Sequence, residues 1–398
     1  MALLQRMYEL KGVVQHYSWG GFEFIPALIG EKNQNRQPFA EYWLGAHPSA
    51  PSLVLPSNKP LNELIQQDPA HFLRTSKNEH GLPFLLKVLD VRQMLSIQVH
   101  PSREGAAIGF AEEQQRNIPI NASTRNYKDR NHKPELMVAL GNFWLLHGFK
   151  DEVNMGMMFD AAPELKPLQS IFEEKGYRGL YEKVMLMPQE EVNNILSPLV
   201  HRILPLYEQG VLEKDEEDFW AARAALSFCK NGHYDRGIFS IYFFNLVSLK
   251  KGEAVYQPPG MPHAYLEGQN VEVMANSDNV LRAGLTDKHI DVPELLKHLK
   301  FEATHPKILS AVAGEQTIYE TSAEEFELSK LRIESGASHS IETHSAEIML
   351  VTKGVVKFSC EDEEMTLGKG KALFLALASS VSLYAEENAT IFRVRVPV

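Results

Sequence analysis

The sequence predicts a mainly β protein that carries an α-helical insert. Short apolar runs rich in branched residues occur in the first 150 residues and again after residue 235, separated by turn-forming residues. Between them, residues 151–234 place apolar side chains at helical spacing. Because 398 residues exceed what one hydrophobic core usually holds, we expect two β-barrels and a separate helical domain.

The first barrel is predicted to be discontinuous, with residues 1–150 and 235–308 on either side of the insert, and the second barrel spans 309–398. Such an insert keeps both halves of a barrel together only if its ends lie close, as is common for inserted domains. In the first part we expect helices and strands in this order: helices at Leu61 to Asp68 and Pro69 to Thr75, strands at Leu82 to Val91 and Met94 to Val99, a helix at Arg103 to Arg116, and strand character from Leu136 to His147.

The insert is predicted to be helical because its apolar residues fall on stripes. Its predicted helices are Pro163 to Lys175, Gly179 to Leu186, Glu190 to Gln209 and Asp215 to Lys230. From Ile238 the pattern predicts a return to β structure, with strands at Tyr242 to Leu249 and Ala254 to Gln257. The last part is predicted to be all β, with strands at Phe326 to Ile333, Ala346 to Thr352, Val355 to Cys360 and Ala372 to Ala376.

The overall charge excludes some classes of partner. A net charge of -11 opposes binding to nucleic acid or to an anionic membrane, so an anionic substrate would need a local positive pocket. With only two cysteines, Cys229 and Cys360, a disulfide framework is not expected. The N-terminal residues lack the apolar core of a signal peptide, and no run approaches the ~20 residues that span a bilayer. We therefore predict a cytoplasmic protein.

Four residues in three separated segments have the chemistry of a metal site. Gln98 and His100 lie two residues apart in an apolar run, so a strand would direct both side chains to one face. Glu135 precedes a second apolar run, and turn-forming residues deliver His263 at the end of a strand. The segment from Gly252 to His263 has the spacing G-x5-P-x-G-x-x-H, which is the second metal motif of the cupin barrels. The sequence thus predicts one metal site within a cupin-like jelly-roll barrel.

A faint repeat of these motifs occurs near the C-terminus. Glu347 and Gly354 match the spacing of the first cupin motif, and Gly370 begins a segment that resembles the second. Val381 stands where the metal-binding histidine would be, and only His344 remains near the first motif. The second cupin-like jelly-roll barrel is therefore expected to bind no metal.

Together with these segments, residues 277–288 resemble the type I mannose-6-phosphate isomerase family, through the signature S-D-N-x-x-R-x-G-L-T-x-K. The resemblance covers about residues 8 to 300 in motif order. It implies one Zn²⁺ per chain, interconversion of mannose 6-phosphate and fructose 6-phosphate, and a place in GDP-mannose biosynthesis. Its implied site residues are the zinc ligands Gln98, His100, Glu135 and His263 and the catalytic Arg282. The chain departs from the family at Arg130 and Asp287, where proline is usual.

Aldose–ketose exchange moves a proton between C1 and C2, so it needs a polarised carbonyl, a base and stabilisation of an enediol(ate). Arg282 is a fixed cation suited to an oxyanion or a phosphate, although an ion pair with Asp278 or Asp287 is the alternative. Lys133 is predicted to be catalytic and Lys288 to bind substrate, and either lysine could hold the phosphate.

The assignment of the base is less direct. Glu272, in an otherwise apolar strand, is predicted as the base if it shares the barrel interior with His263, and otherwise as a residue that holds a ligand or Arg282. His132 is an alternative base and is included among the substrate-binding residues. Tyr265 and Ser96 are also predicted to bind substrate.

Two other functions fit a metal-bearing barrel. Histidine and carboxylate ligands also suit iron, so an iron cupin oxygenase is one alternative, and zinc depends mainly on the resemblance. A metal-stabilised sugar-phosphate sensor without catalysis is the other. The predicted partner is a small phosphosugar, with no nucleic acid or membrane, and the chain is expected to be a monomer.

Overall fold

The computed structural model describes residues 5–73, 81–310, 314–377 and 380–397, and it confirms the predicted fold class of a mainly β protein with a helical insert. The strands and helices up to residue 149 are β1 (Met7–Lys11), β2 (Val13–Gln15), α1 (Phe24–Ile29), β3 (Glu41–Gly45), β4 (Leu53–Val54), β5 (Lys59–Pro60), α2 (Leu61–Gln67), α3 (Pro69–Leu73), β6 (Phe84–Val91), β7 (Gln98–Val99), α4 (Arg103–Gln115), β8 (Glu135–Ala139) and β9 (Phe143–Phe149). The predicted end of the second helix, at Thr75, lies outside the described residues.

The predicted strand from Met94 to Val99 is reduced to β7, which has two residues. The backbone N–H groups of Leu95 and Ile97 instead donate to the carbonyls of Tyr265 and Gly284, 2.8 and 3.1 Å away. The segment thus satisfies its hydrogen bonds one residue at a time rather than along a continuous ladder.

The helical part consists of α5 (Glu152–Ala161), a 3-10 turn (Pro163–Leu168), α6 (Gln169–Leu186), α7 (Gln189–Glu208), α8 (Glu217–Phe228) and α9 (Gly237–Phe243). Two predicted helices are joined in α6 across a kink at Gly176, whose φ of 62° suits glycine. Helix α9 shows that the predicted β structure from Ile238 was wrong as far as Phe243. All its residues are buried, so no polar face marked it as helical. No helix in the described ranges is long and apolar enough to cross a membrane.

The remaining elements are almost all strands: β10 (Phe244–Leu249), β11 (Ala254–Gln257), β12 (His263–Ala275), β13 (Leu281–Arg282), α10 (Val292–His298), β14 (Gln316–Tyr319), β15 (Glu327–Ile333), β16 (Ser338–Glu342), β17 (Glu347–Lys353), β18 (Val355–Cys360), β19 (Glu363–Gly368), β20 (Ala372–Leu375), β21 (Ser380–Ala385) and β22 (Ala389–Arg395).

Three sheets organise these strands. A ten-stranded sheet is built around the long β12, which pairs with β6, β7, β8 and β9. We call it the metal barrel. An eight-stranded sheet in the order β14-β15-β22-β17-β20-β1-β4-β5 and a four-stranded sheet in the order β16-β21-β18-β19 form what we call the second barrel. Strand β1 pairs with β20, so the first strand of the chain lies in a sheet of C-terminal strands. The predicted domain boundaries assigned β1 to the first barrel and did not anticipate this pairing. The boundaries themselves stay a prediction.

Side-chain alternation along the strands separates the hydrophobic cores. On β8, Leu136 and Val138 belong to the core between the two barrels, whereas Met137 and Ala139 fill the interior of the metal barrel. A third core lies inside the second barrel, and a fourth joins the helical insert to the metal barrel. The polar residues of the site therefore project from a well-packed scaffold.

Candidate metal centre and active site

Three of the predicted ligands meet in the structure. His100 follows β7, Glu135 is the first residue of β8, and His263 is the first residue of β12. Gln98 of β7 pairs with His263 at the start of β12, whereas Glu135 of β8 pairs with Met274 near its end, so the curvature of the barrel and not the pairing alone brings the three side chains together. All three are buried, and their ligand atoms lie within 4.8 Å of one another.

The two imidazoles are held in the form that can bind a metal. His100 Nδ1 donates to the Asn279 carbonyl at 2.8 Å, and His263 Nδ1 donates to the Met261 carbonyl at 3.0 Å. A carbonyl only accepts, so each Nδ1 carries a proton, which leaves Nε2 as the ring nitrogen that is placed to bind a metal. His100 Nε2 is buried without a hydrogen-bond partner in the described structure.

The spacing of the ligand atoms fits a small cation. His100 Nε2 lies 3.3 Å from Glu135 Oε1, and His263 Nε2 lies 3.3 Å from Glu135 Oε2. Tetrahedral coordination with bonds of about 2.1 Å places neighbouring ligand atoms about 3.4 Å apart. The donor set and its spacing therefore match a site for a first-row divalent metal.

The local electrostatics favour the ligand forms of these groups. Burial lowers the pKa of His100 to about 4, which keeps the imidazole neutral. Burial alone would raise the pKa of Glu135, but Lys133 and the two histidines lower it well below its usual range. Lys133 Nζ lies 2.9 Å from Glu135 Oε1. The centre thus combines a neutral His100 imidazole with an ionised Glu135 carboxylate, the states that metal binding requires.

A cavity of about 830 Å³ adjoins the centre, and five of the predicted site residues line it: Ser96, Gln98, Lys133, Arg282 and Lys288. Gln98 is directly opposite both His263 and Arg282 in the strand pairing, which puts it at the junction of centre and cavity. Its role as a fourth ligand stays a prediction.

Arg282 is available to an anion in the cavity. The alternative partners expected from the sequence are engaged elsewhere, because Asp278 pairs with His47 at 3.3 Å and Asp287 pairs with Lys230 at 2.7 Å. Burial lowers the pKa of Arg282. Among the described residues no carboxylate contacts its guanidinium, so the structure favours anion binding over a surface ion pair.

Besides the three converging ligands, three further predicted site residues do not line the cavity. Glu272 and Tyr265 lie in the barrel interior, where the Tyr265 hydroxyl donates to Glu272 Oε2 at 2.7 Å. His132 contacts Glu325 Oε1 at 2.6 Å instead of the cavity. Their roles toward substrate stay predictions that this placement does not favour.

Lys87 is a site residue that the sequence reasoning missed. It lines the cavity, and its Nζ lies 3.5 Å from Glu41 Oε2 and 3.6 Å from Glu272 Oε1. Burial acts to lower the pKa of Lys87, but the carboxylates of Glu41 and Glu272 raise it above its usual value. The signal was a lysine in the middle of the apolar strand β6, where a buried charge needs partners.

Aromatic residues and the helical insert complete the cavity wall. Tyr17, Trp19 and Trp43 line it and supply apolar surface. Leu226, Ser227 and Phe228 also line it, from the last turn of α8. The insert therefore contributes directly to the shape of the site.

Asn279, in the signature segment 277–288, has a structural role beside the centre. The Asn279 side chain accepts from the Lys128 N–H at 2.7 Å and donates to the carbonyls of Asp129 and Asn131, at 3.0 and 2.8 Å. Its own carbonyl accepts from His100. Asn279 thus ties the loop before Glu135 to a metal-binding histidine.

Comparison with known proteins agrees with this geometry. Residues 7–152 match the family profile described as phosphomannose isomerase type I, catalytic domain. Mannose-6-phosphate isomerase of Escherichia coli (strain K12) is 34% identical over 94% of this chain and 96% of its own length. The Mus musculus enzyme is 32% identical over 95% of each chain.

Solved structures extend the similarity to the whole fold. A crystal structure of mannose 6-phosphate isomerase from Salmonella typhimurium, bound to its substrate fructose 6-phosphate and to zinc, superposes with a TM-score of 0.88. It is 31% identical, and the superposition covers 99% of this chain and 100% of the other. On this sequence identity, sustained over almost the full length and accompanied by the converging ligands, the chain belongs to the mannose-6-phosphate isomerase family.

Proposed function

We propose that this protein is a zinc-dependent isomerase that interconverts mannose 6-phosphate and fructose 6-phosphate. The observation that carries the proposal is the convergence of His100, Glu135 and His263 beside a cavity lined by four cations: Lys87, Lys133, Arg282 and Lys288. The Salmonella typhimurium relative, which holds fructose 6-phosphate and zinc, supports the same substrate and metal here.

His100, Glu135 and His263 would hold the zinc, with Gln98 as the proposed fourth ligand. When bound, zinc would act as a Lewis acid that polarises the oxygens at C1 and C2. The hydrogen bonds to Asn279 and Met261 fix both histidine rings for this role before a metal arrives.

Arg282 and Lys288 are proposed to bind the phosphate or the enediolate. They line the same wall, and after burial the charge of Arg282 is the next cause that lowers the pKa of Lys288. Two neighbouring cations suit a dianion. Lys133, beside Glu135, is proposed to donate a hydrogen bond to an oxygen at C1 or C2.

Glu272 is proposed to position Lys87 rather than to take the proton itself. Burial raises the pKa of Glu272, and the charge of Glu135 raises it further. Its oxygens face Tyr265 and Lys87, which separates it from the cavity. Glu272→Gln should then lower kcat by about tenfold or less, whereas loss of a general base would cost about 10²–10⁴.

A coupled assay tests the proposal. Purified protein should turn over both sugar phosphates, lose activity with a chelator and regain it with zinc, and Arg282→Ala should remove turnover while zinc content stays at one per chain. An unchanged rate in Arg282→Ala would overturn that residue's role. Stoichiometric zinc without turnover would favour the sensor, and bound iron would favour the oxygenase, although no observation here favours either.

We also propose that the chain acts as a monomer in the cytoplasm. Both cysteines are unpaired, and Cys360 is buried in the second barrel, which suits a reducing compartment. Light scattering coupled to gel filtration should give a mass near 45.0 kDa. A dimer mass would contradict the monomer.

A further inference from the structure

A second cavity lies between the two barrels. Its volume is about 580 Å³, and none of the described residues that line it lines the active-site cavity. Ala139 and Gly252 contribute from the metal barrel, and residues of β15 and β22 contribute from the second barrel. We call it the inter-barrel cleft.

The inter-barrel cleft concentrates positive charge. Five of its described lining residues are cationic and none is a carboxylate: the cations are Lys251, Lys330, Arg332, Lys353 and Lys369. This is unexpected in a chain with a net charge of -11, where acids outnumber bases. Just outside, Lys371 has the usual arrangement, since it pairs with Glu9 at 3.3 Å. A concentration of one charge in a concave site raises the local concentration of the opposite ion.

Of these residues, Lys330 gives the strongest indication of an anion site. It lies on β15 opposite Phe392 of β22, and only 9% of its surface is exposed. Burial lowers the pKa of Lys330, and the charges of Arg332 and Lys251 lower it further. Its side chain lines the cleft, and a cation partly withdrawn from bulk water without an anionic partner is costly. Among the described residues no carboxylate offsets that cost, whereas an anion in the cleft would.

The turns that carry two of the cations are fixed in place. Lys369 precedes Gly370, whose φ is 82° and where a Cβ would lie 2.0 Å from the Leu28 carbonyl oxygen. Lys353 precedes Gly354, whose φ is 79° and where a Cβ would lie 2.7 Å from the Asn388 carbonyl oxygen. Each turn depends on glycine to pack this closely. The cations are thus presented from a rigid frame rather than from mobile loops.

The cleft also has an apolar side. Phe24, Leu28, Leu140 and Phe392 line it and belong to or pack against the core between the barrels. A pocket with apolar walls and a few convergent charged groups is typical of small-molecule sites.

We propose that the inter-barrel cleft is a binding site for a small anion that carries at least two phosphate groups, such as a nucleoside diphosphate or pyrophosphate. Two cations suffice for one phosphate dianion, as proposed for Arg282 and Lys288, so five indicate a higher charge. The volume excludes a large partner, and the apolar side could accommodate an organic group. The site is separate from the proposed active site and does not depend on its assignment.

Titration calorimetry of the zinc-loaded protein with pyrophosphate tests the proposal. The wild type should bind saturably, and Lys330→Met, which keeps the aliphatic chain, should raise Kd at least tenfold. Lys353→Met, at the exposed end of β17, should give a smaller rise and guards against misfolding of the buried variant. Turnover of both variants should equal that of the wild type.

Two control variants distinguish binding in the inter-barrel cleft from binding to cations elsewhere in the protein. Arg282→Ala, which removes a cation proposed to bind the substrate phosphate, should leave the binding that depends on Lys330 unchanged, and so should Lys175→Met, on an exposed face of the insert. Binding lost in Arg282→Ala but kept in Lys330→Met would overturn the proposal, as would absence of saturable binding or equal affinity for orthophosphate. Tighter binding of ADP than of pyrophosphate would support an organic ligand, and equal binding would support an inorganic one.

Discussion

The two barrels begin corresponding strands with nearly the same sequence. Strand β8 starts Glu-Leu-Met-Val-Ala at Glu135, and β17 starts Glu-Ile-Met-Leu-Val at Glu347. In both strands the second and fourth residues enter the core between the barrels. The third and fifth residues fill the interior of their own barrel. The two glutamates therefore occupy equivalent places in two different environments.

The groups that contact Glu135 differ from those that contact Glu347. Arg393 on β22 donates to both oxygens of Glu347, each at 2.6 Å, so the carboxylate is fully occupied by one guanidinium fork. Glu135 instead faces the two imidazoles of His100 and His263 and the ammonium of Lys133, and both its oxygens remain within reach of a metal. Burial raises the pKa of Glu347 even though Arg393 acts to lower it, whereas Lys133 and the histidines overcome burial at Glu135. The same strand start thus gives a structural ion pair or a metal centre, depending on its neighbours.

Removing each carboxylate should have very different consequences for activity. We expect Glu135→Gln to weaken zinc binding and to lower kcat/KM by about 10³-fold or more, because it replaces the anionic ligand of the centre with a neutral amide. Glu347→Gln is the matched control and should keep zinc and turnover at temperatures where it is folded. Metal analysis and the coupled assay measure both. Equal losses of activity would break the comparison.

The ion pair of the second barrel should matter for stability. Arg393→Ala should lower the free energy of unfolding by about 3–5 kcal/mol, because it leaves a buried carboxylate without its partner. The double variant Glu347→Leu with Arg393→Met should recover most of this loss. Urea unfolding of the three proteins measures the effect. A double variant as unstable as Arg393→Ala would show that the pair itself, and not the orphaned charge, sets the cost.

Restoring a histidine to the second barrel should not restore a metal site. Val381 is fully buried in the interior core, so Val381→His should cost about 1–3 kcal/mol of stability. Because Arg393 already occupies Glu347, we expect the zinc content to stay at one per chain. A second equivalent of zinc would mean that the missing histidine alone distinguishes the barrels.

Disrupting the exposed ion pair between Lys230 and Asp287 should have the smallest effect on stability. Both side chains are mostly exposed, and such pairs contribute about 0.2–1 kcal/mol. Lys230→Ala should therefore change the free energy of unfolding by less than about 1 kcal/mol, with the effect shrinking in high salt. A loss comparable to that of Arg393→Ala would contradict the distinction between exposed and buried pairs.

Local patterns predicted much of the fold. Helix α7 has a stripe of apolar residues, and α4 is preceded by Ser102, whose hydroxyl accepts from the Gly105 N–H. Both are features of single helices and can be recognised in the sequence. The run that became α9 could not be assigned correctly, because a fully buried segment shows neither helical nor strand periodicity. The pairing of β1 with β20 joins the two ends of the chain, which no local pattern reports.

The sequence by itself determined the chemistry of the centre, since the spacing of His100, Glu135 and His263 within their motifs already indicated a metal site. Only the tertiary structure decided which charged groups act together. It placed Lys87 in the cavity wall, directed Glu272 and His132 to other partners, and occupied Glu347 with Arg393. The physical reason is that the state and availability of a buried charge depend on the groups packed around it, and in this fold those groups come from distant strands.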